Sequence, residues 1–472
     1  MKTNVSPATL MAQLGRSLPL LAAALTFAPS GARAANPAAA SFFLHDGDRV
    51  CFYGDSITEQ RFYGAEVQTY VRTRFPDLRV SFLNSGVGGD QVGGGWAGGI
   101  DLRLQRDVFP FKPTVVTIML GMNDARYRPF DQAIFNEYKQ GYEHLVASLQ
   151  QHLPGVRIVL IKPTPYDDVT ELPKFPGGYN AVLARYSAFV GQLATEHRLP
   201  CVDFFQPILT LLEKARTENP ELASAVIPKR IHPSAAGELV MAQQLLHAWN
   251  APATVTAVAI DAAGHAATKA DNTTVTDIRS AADGTVTWTQ QDGSLPLPVL
   301  ALHEDWPQFP PVDNIWGSMP FYWAAPAPKW DYTSPATAMI VRDCDFYATV
   351  DQEPLQVSGL TAKAYQLKIN GKMVGTFTAS ELATGINLAA DQTPMLEQGY
   401  RVLGAVWRQI QWRYYGWRDV QLKLAFDEDP AVQKATQALV DALEAQKNRD
   451  AARQYAIARP EPTHYELVPV KS

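Results

Sequence analysis

The chain predicts an α/β architecture: a five-stranded parallel sheet with helices on both faces, then a β-rich accessory region ending in helices. Three observations carry this. Between residues 45 and 250, short runs rich in β-branched residues alternate with helix-period stretches. Those runs are almost continuously apolar, as strands covered on both faces must be. Beyond about Asn250 the texture changes to short β segments separated by turn dipeptides. With 472 residues, 46% hydrophobic and 19% charged, the composition is globular and the chain is too long for one compact core.

Residues 1–34 read as a secretory leader, with Lys2 and Arg16 supplying charge, Leu18 to Ala28 an apolar run, and Ala32-Arg33-Ala34 a small-residue cleavage site. The run is too short for a membrane anchor, and Pro19 interrupts it. Residues 35–250 form the α/β domain. Its strands are Arg49 to Tyr53, Arg79 to Leu83, Thr114 to Leu120, Arg157 to Ile161 and Pro200 to Phe204. Helices are expected over Ala65 to Arg74, Ala133 to His152, Tyr179 to His197, Pro207 to Arg216 and Ala235 to Trp249. Right-handed crossovers place them on both sides of the sheet, and ligands of such sheets bind at the carboxyl ends of the strands.

Residues 251–472 form the accessory domain. Asp283-Gly284 and Asp292-Gly293 mark turns, and Asn370-Gly371 between YQLKI and KMVGTFT is a two-residue hairpin signal. Helices are expected over Pro394 to Gln409 and Pro430 to Tyr455, the second opened by Asp429 as N-cap. Trp306, Trp316, Phe321, Tyr322, Trp323 and Trp330 stand in a proline-rich tract. Rings of this kind bury against the sandwich, with a sugar-stacking surface as the other reading.

Charge and cysteine count narrow the function. Without Lys2, Arg16 and Arg33 the chain keeps 38 basic against 47 acidic residues, a formal charge of −9, which disfavours nucleic acid as a partner. Cys51, Cys201 and Cys344 make no disulfide scaffold, and the first two sit in apolar runs where free cysteine packs as a small hydrophobe. Metal-ligand spacings are absent from the sequence, so no cofactor is expected.

The strand ends hold the chemistry. The first runs into Gly54-Asp55-Ser56-Ile57-Thr58, which puts a serine hydroxyl at the sheet edge beside a helix start. The second ends in Asn84-Ser85-Gly86-Val87-Gly88-Gly89-Asp90, where glycine lets backbone N–H groups face a ligand. The third ends in Gly121-Met122-Asn123-Asp124, whose asparagine can donate to an oxyanion. His232-Pro233 precedes the last helix. Each has an ordinary reading taken singly: cap, loop, turn or structural histidine. Gly93, Gly95 and Gly98 fit a dinucleotide-binding pattern, but they do not directly follow a strand.

Four residue types needed for acyl transfer thus fall in order at edges the topology brings together. Here the sequence resembles the SGNH, or GDSL, hydrolase family, through GDSITE (Gly54 to Glu59), NSGVGGD (Asn84 to Asp90), GMND (Gly121 to Asp124) and IHPSAAG (Ile231 to Gly237). The resemblance covers residues 45–250 and implies a three-layer α/β/α sandwich of flavodoxin-like type. It implies Ser56 as nucleophile, His232 as base, and an oxyanion hole from the Ser56 and Gly89 N–H groups with the Asn123 amide, Gly88 being the neighbouring alternative to Gly89. Absence of G-x-S-x-G argues against the α/β-hydrolase alternative.

One position departs from the family pattern. An aspartate usually stands three residues before the histidine, and here that residue is Lys229. Three readings remain open: a dyad whose histidine is oriented by a main-chain carbonyl, a relocated acid, or a pocket that binds without catalysis. For a relocated acid, Asp167 or Asp168 after the fourth strand is the first candidate and Glu221 a weaker one. Lys229 and Arg230 read as a solvated pair of cations. The expected activity is hydrolysis of small O-acyl esters, acetyl foremost, on a small-molecule or polysaccharide substrate outside the cytoplasm. A lipase or thioesterase and an inactive carbohydrate-binding protein are the alternatives.

Overall fold

The computed structural model describes residues 41–299, 335–424 and 427–470. The expected leader and the six clustered aromatics from Trp306 to Trp330 lie outside these ranges. Among the described residues no helix is long and apolar enough to cross a membrane.

The parallel sheet comprises β1 (Arg49–Gly54), β2 (Ser81–Gly86), β3 (Val115–Met119), β4 (Arg157–Lys162) and β5 (Cys201–Asp203). Their order is β2-β1-β3-β4-β5 and all pairs are parallel. Every residue of β3 is buried, which is why its sequence shows no alternation. The chain steps from β1 to one side and then back past it to β3. Right-handed crossovers therefore place α2 (Phe62–Arg74) on the face opposite α3 (Ile100–Asp107), α4 (Gln132–His152) and α5 (Gly178–His197). α2 packs on the closing helix Ala235–Ala248, and α4 packs on α5. The direction of winding reverses at β1, and a crevice opens at its carboxyl end. Gly54 pairs in register with Gly86 of β2 and Met119 of β3, so the three motif loops leave adjacent strand ends.

Two expectations shift. β2 starts at Ser81 and runs through Gly86, because the polar Asn84 and Ser85 pair with Phe52 and Tyr53 of β1. Cys201 stands exposed at the start of β5, whereas Cys51 is buried as expected.

The accessory region has a five-stranded antiparallel sheet, ordered Thr273–Ser280, Val286–Asp292, Thr463–Pro469, Ala364–Ile369 and Lys372–Thr378. A four-stranded sheet joins Ile386–Asn387, Pro354–Ser358, Ala257–Asp261 and Ala266–Asp271. Asn370 and Gly371 both take positive φ, 51° and 76°, at the tip of the expected hairpin. The helix Pro394–Tyr414 is longer than its pattern suggested and continues as a π-helical turn over Tyr415–Gln421. Its apolar face shares a core with Trp288, Tyr365 and Leu467 of the sheet and with Phe62 and Ala65 of α2. Gln68 of α2 donates to Gln409 at 2.7 Å, and Arg72 donates to Gln454 of the last helix at 3.1 Å. The accessory helices are thus packed directly on the α/β layer, and the described residues from Phe42 onward belong to one compact unit.

Candidate active site

Ser56 opens the short helix α1 (Ser56–Gln60), capped by Asp55, whose Oδ1 accepts from Ile57 N–H at 2.9 Å. Gly54 makes the turn feasible, since a Cβ there would lie 2.2 Å from Thr58 Oγ1. The Ser56 Oγ and His232 Nε2 are 2.8 Å apart. His232 sits just before Ser234, which caps the closing helix by accepting from Gly237 N–H at 3.1 Å. Its loop is clamped from upstream by Arg230, which donates to Glu171 Oε2 at 2.6 Å and to Leu172 O at 2.9 Å, with Asp168 at 3.6 Å. Arg230 is therefore a tethering residue, not half of a solvated cation pair.

The candidate donors can be followed atom by atom. The N–H of Ser56 lies in the first turn of α1, where no intrahelical acceptor exists. Gly88 N–H is taken, donating to the buried Glu59 Oε2 at 2.6 Å. Gly89 N–H has no partner among the described residues, and Gly89 has φ 78° with open space where a Cβ would be. This favours Gly89 over Gly88 as the loop donor. Asn123 accepts from Tyr127 Oη–H at 2.8 Å and donates one Nδ2–H to Asp90 O at 3.1 Å. Those two bonds fix the amide, leaving its second N–H available. The three donors converge on strand ends that neighbour one another.

The relocated acid is not found where it was expected. Asp167 Oδ1 accepts from Val169 and Thr170 N–H, and its Oδ2 from the Thr170 hydroxyl. Asp168 Oδ2 accepts from Tyr179 and Asn180 N–H, capping α5. Glu221 is exposed on the turn Pro220–Ala223. None of the three bonds His232, and turn and cap duties account for both aspartates. A main-chain carbonyl is not present either: among the described residues, Nδ1 of His232 has no hydrogen-bond partner. Burial, unopposed by any charge, depresses His232 from 6.5 to about 4.

Burial pushes the opposite way on the neighbouring acids. It raises Asp55 to about 8, helped by repulsion from Asp124 and Asp90, and Asp124 to about 7, helped by repulsion from Asp90. Near neutrality these carboxyls retain much of their protons, which limits the negative charge next to Ser56 and Asn123.

Sequence reasoning missed Glu59, the indole of Trp96 and Arg418. Glu59 reads as a polar residue after the serine, yet it is sealed and ion-paired to Arg418 Nε at 2.6 Å. Trp96 Nε1–H donates to Gly88 O at 2.9 Å while the residue as a whole stays 52% exposed. The dinucleotide-like glycines fold differently: Gly94–Gly95 and Gly98–Gly99 pair as a small antiparallel ribbon carrying Trp96 at its tip.

A sequence model of the GDSL-like Lipase/Acylhydrolase family matches residues 52–239. An acetylxylan esterase of Geobacillus stearothermophilus is 27% identical over 225 residues, 43% of this chain and 94% of that protein. A GDSL esterase/lipase of Arabidopsis thaliana is 30% identical over 139 residues, 26% of this chain and 53% of its own length. Among solved structures, a gut microbial diltiazem-metabolizing enzyme superposes with a TM-score of 0.74 at 23% identity, covering 90% of this chain and 98% of that one. That similarity extends the shared fold across the accessory region. With the parallel sheet, the motif order and these relatives together, the chain belongs through residues 52–239 to the SGNH, or GDSL-like lipase/acylhydrolase, family of carboxylic ester hydrolases.

Proposed function

We propose that this ester hydrolase works through Ser56 and His232 as a dyad, with Ser56 N–H, Gly89 N–H and the Asn123 amide receiving the oxyanion. The single observation that carries the reading is the 2.8 Å contact between Ser56 Oγ and His232 Nε2. Burial keeps the imidazole neutral at pH 7, so Nε2 is ready to take the hydroxyl proton as Oγ attacks the ester carbonyl. The imidazolium then protonates the leaving alcohol, and water, deprotonated by the same nitrogen, releases the acid from the acyl-serine. Without a carboxylate on Nδ1 the imidazolium is poorly stabilised, and turnover is slow for the family.

The substrate class is a small O-acyl ester, acetyl foremost, carried on carbohydrate. The acetylxylan esterase relative supports it, as do two exposed rings bonded beside the donors, Trp96 at Gly88 and Tyr127 at Asn123. With the leader expected at residues 1–34, the enzyme would meet that substrate after export. The test is p-nitrophenyl acetate hydrolysis together with fluorophosphonate labelling. Ser56→Ala should abolish both. A second reading, carbohydrate binding without turnover, draws on the unpartnered Nδ1 of His232. Retention on acetylated xylan with no labelling of Ser56 would establish it in place of the first.

A further inference from the structure

We infer that Arg418, from the accessory region, is a positioning residue for the oxyanion donor Gly89. The inference rests on the acyl-transfer reading of Ser56 and His232 and adds to it a part of the site that lies outside the family-matched segment.

Geometry carries it. The N–H of Gly89 belongs to the same planar peptide unit as the C=O of Gly88, and in a trans peptide these two groups point in opposite directions. Whatever fixes the Gly88 carbonyl therefore aims the Gly89 N–H. That carbonyl accepts from Trp96 Nε1–H at 2.9 Å. The preceding peptide is fixed from its own N–H, because Gly88 N–H donates to Glu59 Oε2 at 2.6 Å. Two glycines in sequence have the least intrinsic preference for any one orientation, so outside anchors must select it.

Both anchors end on one guanidinium. Arg418 Nε donates to Glu59 Oε1 at 2.6 Å, and Arg418 Cζ lies 4.3 Å from the centroid of the Trp96 ring. Tyr414 Oη adds a bond to Glu59 Oε1 at 3.2 Å. The Glu59 side chain is fully buried and Arg418 is 8% exposed, so neither exchanges its partner for solvent at little cost. Arg418 is itself held: it sits in the π-helical turn Tyr415–Gln421, beside Trp417, whose Nε1–H donates to Asp107 Oδ1 at 2.8 Å. Asp107 is bound to Arg103, which also pairs with Asp90 of the same loop at 2.9 Å. Inserted turns of this kind recur where a helix must place one side chain at a site.

The role is electrostatic aim. A donor held where charge develops lowers the barrier, whereas one free to swing adds little. Loss of Arg418 should slow acyl transfer and leave ground-state binding nearly unchanged.

The experiment compares Arg418→Gln, Arg418→Lys and Trp96→Phe in the full chain, using p-nitrophenyl acetate turnover, phenylboronic acid affinity and Tm. Phenylboronic acid forms a tetrahedral adduct on a reactive serine and so reports the oxyanion hollow. We expect kcat to fall about tenfold or more with KM within about twofold, and boronate affinity to weaken in parallel, since losing a donor outright costs roughly 10² to 10³. Lysine keeps the charge but not the flat fork over the ring and should recover only part of the rate. Trp96→Phe keeps an aromatic ring for Arg418 while removing the N–H donor together with the five-membered ring that carries it. Being a half-exposed site, it should give the kcat loss without a loss of Tm, and it decides the matter if the Arg418 variants do not fold. If Ser56→Ala abolishes turnover while folded Arg418→Gln and Trp96→Phe keep kcat and boronate affinity within about twofold of wild type, the inference is overturned and the dyad stands. If Ser56→Ala leaves turnover intact, both fall together.

Discussion

Lys229 stands where the family pattern has an acid, and its backbone shows how that could be reversed. Its φ and ψ are 54° and 33°, in the left-handed region, which aspartate tolerates better than most residues. Lys229→Asp should therefore fold and present a carboxylate toward His232 three residues on. Two changes are expected. Turnover of p-nitrophenyl acetate should rise, and the acid limb of kcat/KM, set near pH 4 by the depressed histidine, should move up toward 6.5, because a nearby anion favours the imidazolium. A pH–rate profile of both proteins checks this, and an unmoved limb would mean that the introduced carboxylate does not reach the ring. Ser56, His232 and Asn123 could be read from the sequence as candidates because the proposed chemistry lies in their side chains. It left Gly88 and Gly89 unresolved, since the choice depends on which N–H is already engaged. Arg418 was invisible: it meets Glu59 across 359 positions, and no local pattern encodes such a contact.

At the level of elements, α1 is a wedge seated between two glycine strand ends. A Cβ added at Gly86 would lie 2.4 Å from Glu59 N and 2.6 Å from Thr58 C, both backbone atoms that cannot step aside. Gly86→Ala should push α1 and its serine off the sheet, giving little soluble protein or, where folded, at least a tenfold loss of turnover by the estimate for a misplaced reacting group. The hairpin tip offers the contrast. Gly371 has positive φ but open space around it, so Gly371→Ala meets only backbone strain of about 1 kcal/mol and should leave activity intact, measurable as a small shift in urea midpoint. Strands with continuous apolar runs and helices with strong caps were legible. Helix α3 was not, because it buries Arg103 and Asp107, residues that read as solvent-facing. Strand Thr463–Pro469 was missed despite burying alternate residues Thr463, Tyr465 and Leu467, since the nearby prolines read as linker.

Across the whole molecule, buried acids dominate the pH dependence of stability. Asp55, Asp124 and Asp351 titrate at about 8, 7 and 7, against ordinary values of 3.8, each chiefly through burial. A carboxyl with a raised folded value is at no disadvantage below its unfolded value, and folding then loses stability as pH rises toward the folded one. His232 acts oppositely, its contribution being lost as pH falls from 6.5 to about 4. Among the described residues these acids still change between pH 6.5 and 8 while His232 no longer does, so Tm should fall across that window, and calorimetry at pH 6.5 and 8 would reveal a flat or rising Tm if these groups were not sealed. The β-rich texture beyond Asn250 was readable from its turn dipeptides, but the packing of the accessory helices on α2 was not, since it depends on a buried glutamine seam with no periodic signature. Residues Thr463–Pro469 enter the middle of a sheet whose two neighbours, Val286–Asp292 and Ala364–Ile369, are made far earlier. The slot between those two strands is therefore filled only once residues 463–469 have been synthesised, so this sheet closes after every motif loop of the α/β layer has already left the ribosome.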